Sequence, residues 1–275
     1  MATPNEYPRL LAQAEHAQVS RLFQRVTLHH LHLDWRTLEE WLPDPSLRCW
    51  VTYSNGSIQS IMGATLHLPQ DAPGVAWLRC ILPAPTGEMA VLDRLWEALR
   101  ADLRSHGVGQ VAIMALDNWV GSLAARWQFS RTNAVVTLRR VQGEIPPPPA
   151  PPLRIREVAT HSDLDEVAWL DSLAFKPLWR YSRETLAVAQ QQAATFTVLE
   201  EDAGLLGYQL STRHTGSGHL ARLAIHPNVQ GRGLAALLVG NMLRFMHARN
   251  IRTVTVNTQE DNVRSQRLYT RLGFE

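Results

Sequence analysis

The stretch His219–Asn250, HLARLAIHPNVQGRGLAALLVGNMLRFMHARN, decides how this chain folds. Its first part, Leu220–Ile225, is a short apolar run typical of a strand, and it ends in His226-Pro227. A loop follows, and apolar residues then recur at helical spacing from Leu234 to Arg249. A strand, a loop and a helix in this order aim backbone N–H groups and the positive end of a helix dipole at one point. An anion such as a phosphate is the expected occupant of that point.

Two glycines in the loop support this interpretation. A side chain at Gly231 or Gly233 would obstruct the approach of backbone amides to a phosphate, and glycine also tolerates a positive φ. The sequence after the helix predicts a second strand over Arg252–Asn257 and a second short helix over Asn262–Leu272. The local order is therefore strand, glycine loop, helix, strand, helix.

The loop Gln230–Ala235 reads QGRGLA and matches the pattern Gln/Arg-x-x-Gly-x-Gly/Ala. The segment resembles the acetyl-CoA-binding core of the GNAT superfamily of N-acetyltransferases. This resemblance implies that the two strands splay apart and that the pantetheine arm of acetyl-CoA pairs with the first strand, as an added peptide strand would. It also implies a set of cofactor contacts: Leu223, Ala224, Ile225, Gln230, Gly231, Arg232, Gly233, Leu234, Ala235, Ala236 and Asn262.

The resemblance assigns Tyr269 as the general acid of the reaction. The leaving group of a thioester is a thiolate, and a phenol with a reference pKa of about 10 can protonate it. The alternative is that Tyr269 only packs on the sheet, as an aromatic residue on an amphipathic helix usually does.

The general base is left open by the sequence. Around Asn257–Glu275 the chain is similar to bacterial ribosomal-protein alanine acetyltransferases, which carry a glutamate where this chain has Asn257. An asparagine cannot accept a proton, so we consider Glu200, His226, Glu260, Asp261 or a water chain as substitutes. Glu260 and Asp261 are also expected to cap the following helix, and His226 is also typical of a solvated turn.

The two halves of the chain repeat each other, with landmarks 144 residues apart, as Pro83 is from Pro227 and Gly87 from Gly231. Asn118 falls on Asn262 at the same offset. The first copy lacks the chemistry, because Thr86 and Met89 stand at the positions of Gln230 and Gly233. No tyrosine corresponds to Tyr269, since the nearby residues are Ala124, Ala125 and Arg126.

The predicted fold is mixed α/β (α+β), with two tandem GNAT-like domains, each a twisted, largely antiparallel sheet flanked by helices. Residues 1–143 form the degenerate domain, closed by a strand over Ala134–Arg140, residues 144–152 form a proline-rich linker, and residues 153–275 form the acetyl-CoA-binding domain. The family fold adds two strands after the Gly-Phe element, whereas this sequence ends at Glu275. The missing strands are expected either from a continuation of the chain or from elsewhere.

The second domain contains further signals near the expected amine site. Ser162 is the predicted N-cap of a helix, and the aromatic residues Phe175, Trp179 and Tyr181 follow that helix. These aromatic residues either line an acceptor pocket or pack between helices.

Composition restricts the function further. A net charge of +2 does not favour nucleic acid or membrane partners, and no apolar run is long enough to cross a bilayer. Cys49 and Cys80 form neither a disulfide framework nor a metal-binding spacing, so we expect reduced cysteines, no metal and a cytoplasmic location. The N-terminus also lacks the layout of a signal peptide.

The leading hypothesis is an acetyl-CoA-dependent enzyme that transfers acetyl directly to a primary amine. The alternatives are a non-catalytic protein that binds acyl-CoA as a sensor or scaffold, and a purely structural module. The expected partners are acetyl-CoA and an unidentified amine, and the chain is expected to be a monomer or a homodimer.

Overall fold

The computed structural model describes residues 7–54, 56–85, 87–140, 143–202 and 204–275. The chain divides into two compact units, Met1–Arg131 and Thr132–Glu275, which we call the first and the second unit. Each unit contains a six-stranded mixed sheet with helices packed on it. The predicted fold of two mixed sheets flanked by helices is confirmed.

The first unit is built from short terminal strands and a long antiparallel centre. Its strands are β1 (Arg9–Leu10), β2 (His30–Leu31), β3 (Leu47–Ser54), β4 (Ser57–His67), β5 (Gly74–Leu82) and β6 (Val108–Ile113). Its helices are α1 (His16–Arg25), α2 (Leu38–Trp41), α3 (Met89–Ser105) and α4 (Asn118–Arg126). The strand order is β1-β3-β4-β5-β2, and β6 pairs with β5 in parallel.

The second unit repeats this plan. Its strands are β7 (Val135–Arg140), β8 (Arg154–Glu157), β9 (Thr195–Glu201), β10 (Gly204–His214), β11 (Ser217–Ile225) and β12 (Thr253–Gln259). Its helices are α5 (His161–Ala174), α6 (Arg183–Gln192), α7 (Leu234–His247) and α8 (Val263–Arg271). The strand order is β7-β12-β11-β10-β9-β8, in which β11 and β12 are parallel and each of the other pairs is antiparallel.

The core of the second unit explains why α7 forms where it does. Leu238, Val239, Met242 and Met246 recur at helical spacing, and each is fully buried against the sheet. Gly218 on β11 permits this close packing, because a Cβ there would lie 3.0 Å from the Met246 sulfur. The loop before α7 is therefore carried by a firmly packed helix.

The strand predicted to close the first domain belongs to the second unit, so that prediction is wrong. β7 pairs antiparallel with β12, from Val135 opposite Gln259 to Arg140 opposite Val254. On its other side, Arg139 exchanges backbone hydrogen bonds of 2.7 and 3.0 Å with Glu275. The outer edge of β12 gains a partner in this way, and Leu138 packs against the core of the second unit.

The proline-rich stretch is packed against the second unit, and does not act as the spacer we predicted. Pro146 lies on Gly240 of α7 so closely that a Cβ on that glycine would meet it at 3.0 Å. Arg244 also donates a hydrogen bond to the Pro146 carbonyl, and Ile145 joins the core. The boundary between the units thus lies before β7, at Arg131–Thr132.

The predicted cap of α5 is also wrong. Thr160 is the N-cap, and its hydroxyl accepts a hydrogen bond of 3.1 Å from the Asp163 N–H. Asp163 in return accepts from the Thr160 N–H at 2.9 Å, which completes a capping box that Ser162 cannot form.

Candidate functional site

The second unit has a gap in its sheet between β11 and β12. These parallel strands pair only from Ser217 opposite Thr253 to Leu220 opposite Val256. Beyond this point β11 continues to Ile225 and β12 to Gln259, without pairing with each other. The predicted splaying of the two strands is therefore present.

One edge of β11 is open along this gap. The His226 N–H donates to the Leu206 carbonyl at 2.8 Å, which is on the β10 side. Hydrogen-bonding residues alternate along an antiparallel strand, so the backbone groups of Leu223 and Ile225 point away from β10 and into the gap. An extended ligand that carries amides can add to this edge as a further strand.

The glycine loop continues from this open edge. Gly231 and Gly233 have φ values of +89° and +78°, in the region that favours glycine. Gly233 is the N-cap of α7, and no side chain caps the helix. A Cβ at Gly233 would meet nothing within 4 Å, and one at Gly231 would meet only Arg264, at 3.9 Å. The uncapped amides at the start of α7 therefore adjoin open space that can hold an anion.

Gln230 holds the loop in position. Its Nε2 donates to the Ile225 carbonyl at 3.0 Å, and its Oε1 accepts from the Arg264 guanidinium at 2.5 Å. The side chain thus joins the end of β11, the loop and α8. Arg264 and Arg232 place two positive charges beside the loop, and among the described residues only Arg232 approaches a carboxylate, Glu201, at 3.9 Å. This charge balance favours a bound anion.

The other predicted cofactor contacts lie on the same surface or beneath it. Ala224 is buried in β11, Leu234 is buried in the first turn of α7, and Ala235 and Ala236 follow it half-buried. Asn262 is the N-cap of α8, where its Oδ1 accepts from the Ser265 N–H at 3.1 Å. The caps expected of Glu260 and Asp261 are thus supplied by Asn262.

Tyr269 lies on α8 within the core cluster that also contains Leu220 and Val256, at the point where the gap begins. Its side chain is 5% exposed, and its ring centroid lies 5.6 Å from that of Phe274. Its hydroxyl makes no hydrogen bond to the described residues, and burial raises its pKa above the usual value of a phenol. Tyr269 is therefore a protonated phenol whose donor is free.

The candidate bases are spread around the site. Asn257 is exposed, and its Oδ1 accepts from the Thr137 hydroxyl at 2.8 Å. Glu200 pairs with Arg156 at 2.8 Å, while Glu260 and Asp261 are exposed. His226 directly follows the open edge, and its ring lies 5.6 Å from that of Trp169. His226 is thus the candidate next to the backbone of Ile225, although its Nδ1 already accepts from the Asn228 N–H at 3.2 Å.

A buried ion pair lies on the α5 side of the gap. Arg222 of β11 donates to both oxygens of Asp171 of α5, at 2.9 Å each, and the two side chains are 8% and 0% exposed. The Tyr208 hydroxyl also donates to Asp171. Burial raises the pKa of Tyr208, and the Asp171 carboxylate adds to this rise. Burial lowers the pKa of Arg222, but Tyr208 and Asp171 outweigh it and raise this pKa overall. All three groups are satisfied by one another, as a buried charge requires.

This ion pair fixes the segment between α5 and α6. Arg222 donates to the Trp179 carbonyl at 2.6 Å, and Asp171 accepts from the Tyr181 N–H at 2.7 Å. The guanidinium also lies 3.6 Å and 3.9 Å from the ring centroids of Phe175 and Tyr181. Two of the aromatic residues expected near the acceptor thus surround an arginine.

The group of Asp171, Tyr208 and Arg222 is not among the residues predicted from the sequence. A carboxylate at Asp171, within the apolar run of α5, was the one available signal, since buried carboxylates need partners. In the first unit, the counterparts of the glycine-loop residues are Thr86, Gly87 and Met89. Met89 begins α3 and Gly87 has a φ of +68°, while Thr86 lies outside the described residues.

Comparisons with known proteins agree with this geometry. The family model described as "Acetyltransferase (GNAT) family" matches residues 161–274. Mycothiol acetyltransferase of Frankia casuarinae is 29% identical over 213 residues, which are 67% of this chain and 60% of that protein. Its counterpart in Frankia alni is 30% identical over 56% of this chain and 53% of its own length. The chain thus spans little more than half of these relatives.

A solved tandem GNAT protein from the clavulanic acid biosynthesis pathway has the same fold over 98% of this chain and 94% of its own, with a TM-score of 0.62 and 20% identity. In the described residues no helix is long and apolar enough to cross a membrane, and no three metal-binding side chains are grouped. The resemblance drawn from the QGRGLA loop is confirmed: residues 161–274 form a domain of the acetyltransferase (GNAT) family.

Proposed function

We propose that this protein is an acetyl-CoA-dependent N-acetyltransferase that moves an acetyl group directly to a primary amine. The observation that carries the proposal is the continuity between the open edge of β11 and the uncapped glycine loop. An extended arm and a pyrophosphate, joined in one ligand, match these two features in this order. The acetyl-CoA contacts assigned from the sequence, with Tyr269 as acid, belong to this proposal.

The residues of the second unit divide the work of binding. Leu223 offers its backbone N–H and carbonyl to the amide-bearing arm, and Ile225 offers its N–H, because its carbonyl is bonded to Gln230. The amides around Gly231 and Gly233 receive the pyrophosphate. Gln230 keeps these two parts in register, because it bonds to the end of β11 and to Arg264 of α8.

Acetyl transfer needs three things: a base for the amine proton, a donor for the negative charge on the thioester oxygen, and an acid for the leaving thiolate. The amine must first lose a proton, and Glu200, His226, Glu260, Asp261 and a water chain are the candidate acceptors. A backbone N–H of β11 that faces the gap near Tyr269 can stabilise the negative charge that develops on the thioester oxygen. Tyr269 then protonates the leaving thiolate, and its raised pKa keeps it in the acid form throughout the neutral range.

The decisive experiment begins with acetyl-CoA binding by calorimetry, for the wild type and for Gly233→Arg. We expect micromolar binding, which the arginine abolishes because it fills the open space at the N-cap of α7. Gly121→Arg in α4 is a matched control, since a Cβ there also meets nothing within 4 Å. Absence of binding by the wild type would contradict both the enzyme and the non-catalytic binder and would leave a structural module, whereas unchanged affinity in Gly233→Arg would place the acetyl-CoA site away from the N-cap of α7.

Tyr269→Phe separates the enzyme from the non-catalytic binder, which the asparagine at position 257 favours. An enzyme should lose turnover by about 10²- to 10⁴-fold with little change in acetyl-CoA affinity, because only the proton donor is removed. CoA release with a panel of primary amines measures this loss. Unchanged turnover in Tyr269→Phe would show that Tyr269 only packs in the core.

The finer assignments stay predictions. The acceptor is given only as a primary amine, because the relatives named mycothiol acetyltransferases match through part of their length. The proposed cytoplasmic location rests on the two free, buried cysteines. A measurement of the molecular mass in solution distinguishes a monomer from a homodimer.

A further inference from the structure

The first unit has the same parallel strand pair as the second, but its gap is filled. β5 pairs with β6 only from Gly74 to Leu78. From that point β2 takes the place of β6, with His30 opposite Ile81 and Leu31 opposite Cys80. The next pair in this register is bonded as well, since the His32 N–H donates to the Arg79 carbonyl at 2.8 Å.

The positions used by β2 are those that the second unit leaves open. At the offset of 144 residues, Arg79 corresponds to Leu223 and Ile81 to Ile225. In the second unit, the backbone groups of these two residues point into the gap between β11 and β12. In the first unit, the same backbone positions are hydrogen-bonded to a strand of the chain itself.

Side chains hold this strand in place. The Arg79 guanidinium donates to Asp34 at 2.5 Å, just beyond β2, and contacts the His32 carbonyl at 3.4 Å. His30 is 2% exposed, and Leu31 packs against the core formed around Cys80. β2 is therefore a fixed and buried part of the sheet.

The space that remains beside β2 does not restore the lost edge. A cavity of about 800 Å³ lies between residues 25–28 and the loop before α3, and its lining includes Met89. Arg126 also lines it, but this arginine is paired with Asp93 at 2.6 Å. A small molecule can enter this cavity, whereas an arm laid along β5 has no free backbone to meet.

We propose that residues 30–32 act as an internal ligand that permanently fills the cofactor slot of the first unit, so that each chain binds one acetyl-CoA, in the second unit alone. The statement about stoichiometry rests on the proposed function. The statement about the filled slot stands on the strand pairing and is tested separately.

Residue-resolved hydrogen exchange of the full chain tests the filled slot. Without ligand, the amide of Ile81 should exchange at least about tenfold more slowly than those of Leu223 and Ile225, because only Ile81 is bonded on this side. Saturating acetyl-CoA should slow Leu223 and Ile225 by at least about tenfold and leave residues 79–81 unchanged. Fast exchange of Ile81 in the free protein, or a change there on adding acetyl-CoA, would overturn the proposal.

Two variants show whether β2 is the cause of this protection. The double variant His32→Pro/Asp34→Ala removes the N–H donor and the ion pair, and should speed the exchange of Ile81 by at least about tenfold. Glu39→Ala, an exposed residue of α2, is the control and should change nothing. Unchanged protection of Ile81 in the double variant would contradict the proposal.

Calorimetry completes the test. One acetyl-CoA per wild-type chain and none for Gly233→Arg is the expected result. A second site in the wild type, or binding that survives in Gly233→Arg, would overturn the filled slot while leaving an acetyl-CoA protein. No binding to the wild type would instead contradict the proposed function, and the exchange of Ile81 would still decide the role of β2.

Discussion

The two units treat the same segment in opposite ways. In the first unit, the connection between α1 and α2 enters the sheet as β2 and bonds to the edge of β5. In the second unit, the connection between α5 and α6 contributes no strand to the sheet, and Arg222 and Asp171 bind its backbone on the α5 side. One fold can thus close a ligand slot or keep it open.

A few side chains account for the difference. Leu78 and Ala64 stand at the positions of Arg222 and Tyr208, so the first unit lacks the buried group that binds this connection. Leu223 in turn stands at the position of Arg79, and an apolar side chain cannot pair with a carboxylate such as Asp34. Each unit contains one anchor for the connection and lacks the other.

Arg222→Leu should have the largest effect, because it leaves the fully buried Asp171 without its cation. We expect a loss of about 3–5 kcal/mol in the free energy of unfolding of the second unit. Asp34→Ala breaks the anchor of the first unit and should cost about 1 kcal/mol or less, since Asp34 is 29% exposed. Urea unfolding followed by hydrogen exchange in each sheet measures both losses.

The double variant Arg222→Leu/Asp171→Leu is the control for this prediction. It should recover part of the stability that Arg222→Leu loses, because no buried charge is left unpaired, while the Tyr208 hydroxyl and the Tyr181 N–H lose their acceptor. Equal losses for Arg222→Leu and Asp34→Ala would show that the two anchors are equivalent, which contradicts the comparison.

A matched pair of loop glycines tests which unit binds the cofactor. Gly231→Val and Gly87→Val place a β-branched residue at φ values of +89° and +68°, so both variants strain their loop. Only Gly231→Val should weaken acetyl-CoA binding, by at least about 100-fold, or about 2.7 kcal/mol. Calorimetry on both variants measures this difference. Loss of affinity in Gly87→Val as well would place a cofactor in the first unit.

The loop and α7 could be predicted from the sequence, because their determinants are local. Gly231 and Gly233 adopt the positive φ that such a loop needs, and the apolar spacing after them gives a helix. Other features depend on contacts between distant residues. Asp171 lies 51 positions from Arg222, and nothing in the periodicity of α5 or β11 links them.

Two strands, β7 and β2, have no distinctive sequence pattern of their own. β7 alternates as any strand does, and the sequence gives no sign that its partner is β12. β2 consists of two residues, His30 and Leu31, which is too short for a periodic signal. Its existence depends on the edge of β5, which is formed only in the folded unit.

The filled slot should open more easily in acid. His30 is buried beside His32, Arg79 and Asp117, and its Nε2 has no hydrogen-bond partner among the described residues. Burial, with smaller contributions from His32 and Arg79, lowers its pKa to about 4, against about 6.5 in the unfolded chain. Between these values the unfolded state binds more protons, so stability falls as the pH falls, by at most about 1.4 kcal/mol per unit.

Urea unfolding of the first unit at pH 7 and pH 4.5 measures this effect. His30→Leu should remove part of the pH dependence, whereas His161→Gln, an exposed residue of α5, should leave it unchanged. An identical pH dependence in wild type and His30→Leu would contradict the assignment to His30.

The smallest change in acetyl-CoA binding is expected from repairing the loop before α3, the first unit's counterpart of the glycine loop. Met89 stands in the place of Gly233, so the double variant Thr86→Gln/Met89→Gly restores the QGRGLA-type residues at two positions of the first unit. In a Gly233→Arg background this double variant should still bind no acetyl-CoA, because β2 continues to occupy the edge of β5. Binding by calorimetry in this background reports on the first unit alone.

The informative outcome is the difference between repairing the loop and opening the slot. If repair of the loop alone restores binding, the glycines decide which unit is active and β2 is displaced at little cost. If binding appears only when His32→Pro and Asp34→Ala are added, the first unit is inactive because the chain competes with the cofactor for the Arg79 and Ile81 backbone. The second explanation accounts for both the fixed position of β2 and the free edge at Leu223 and Ile225, and we therefore expect that result.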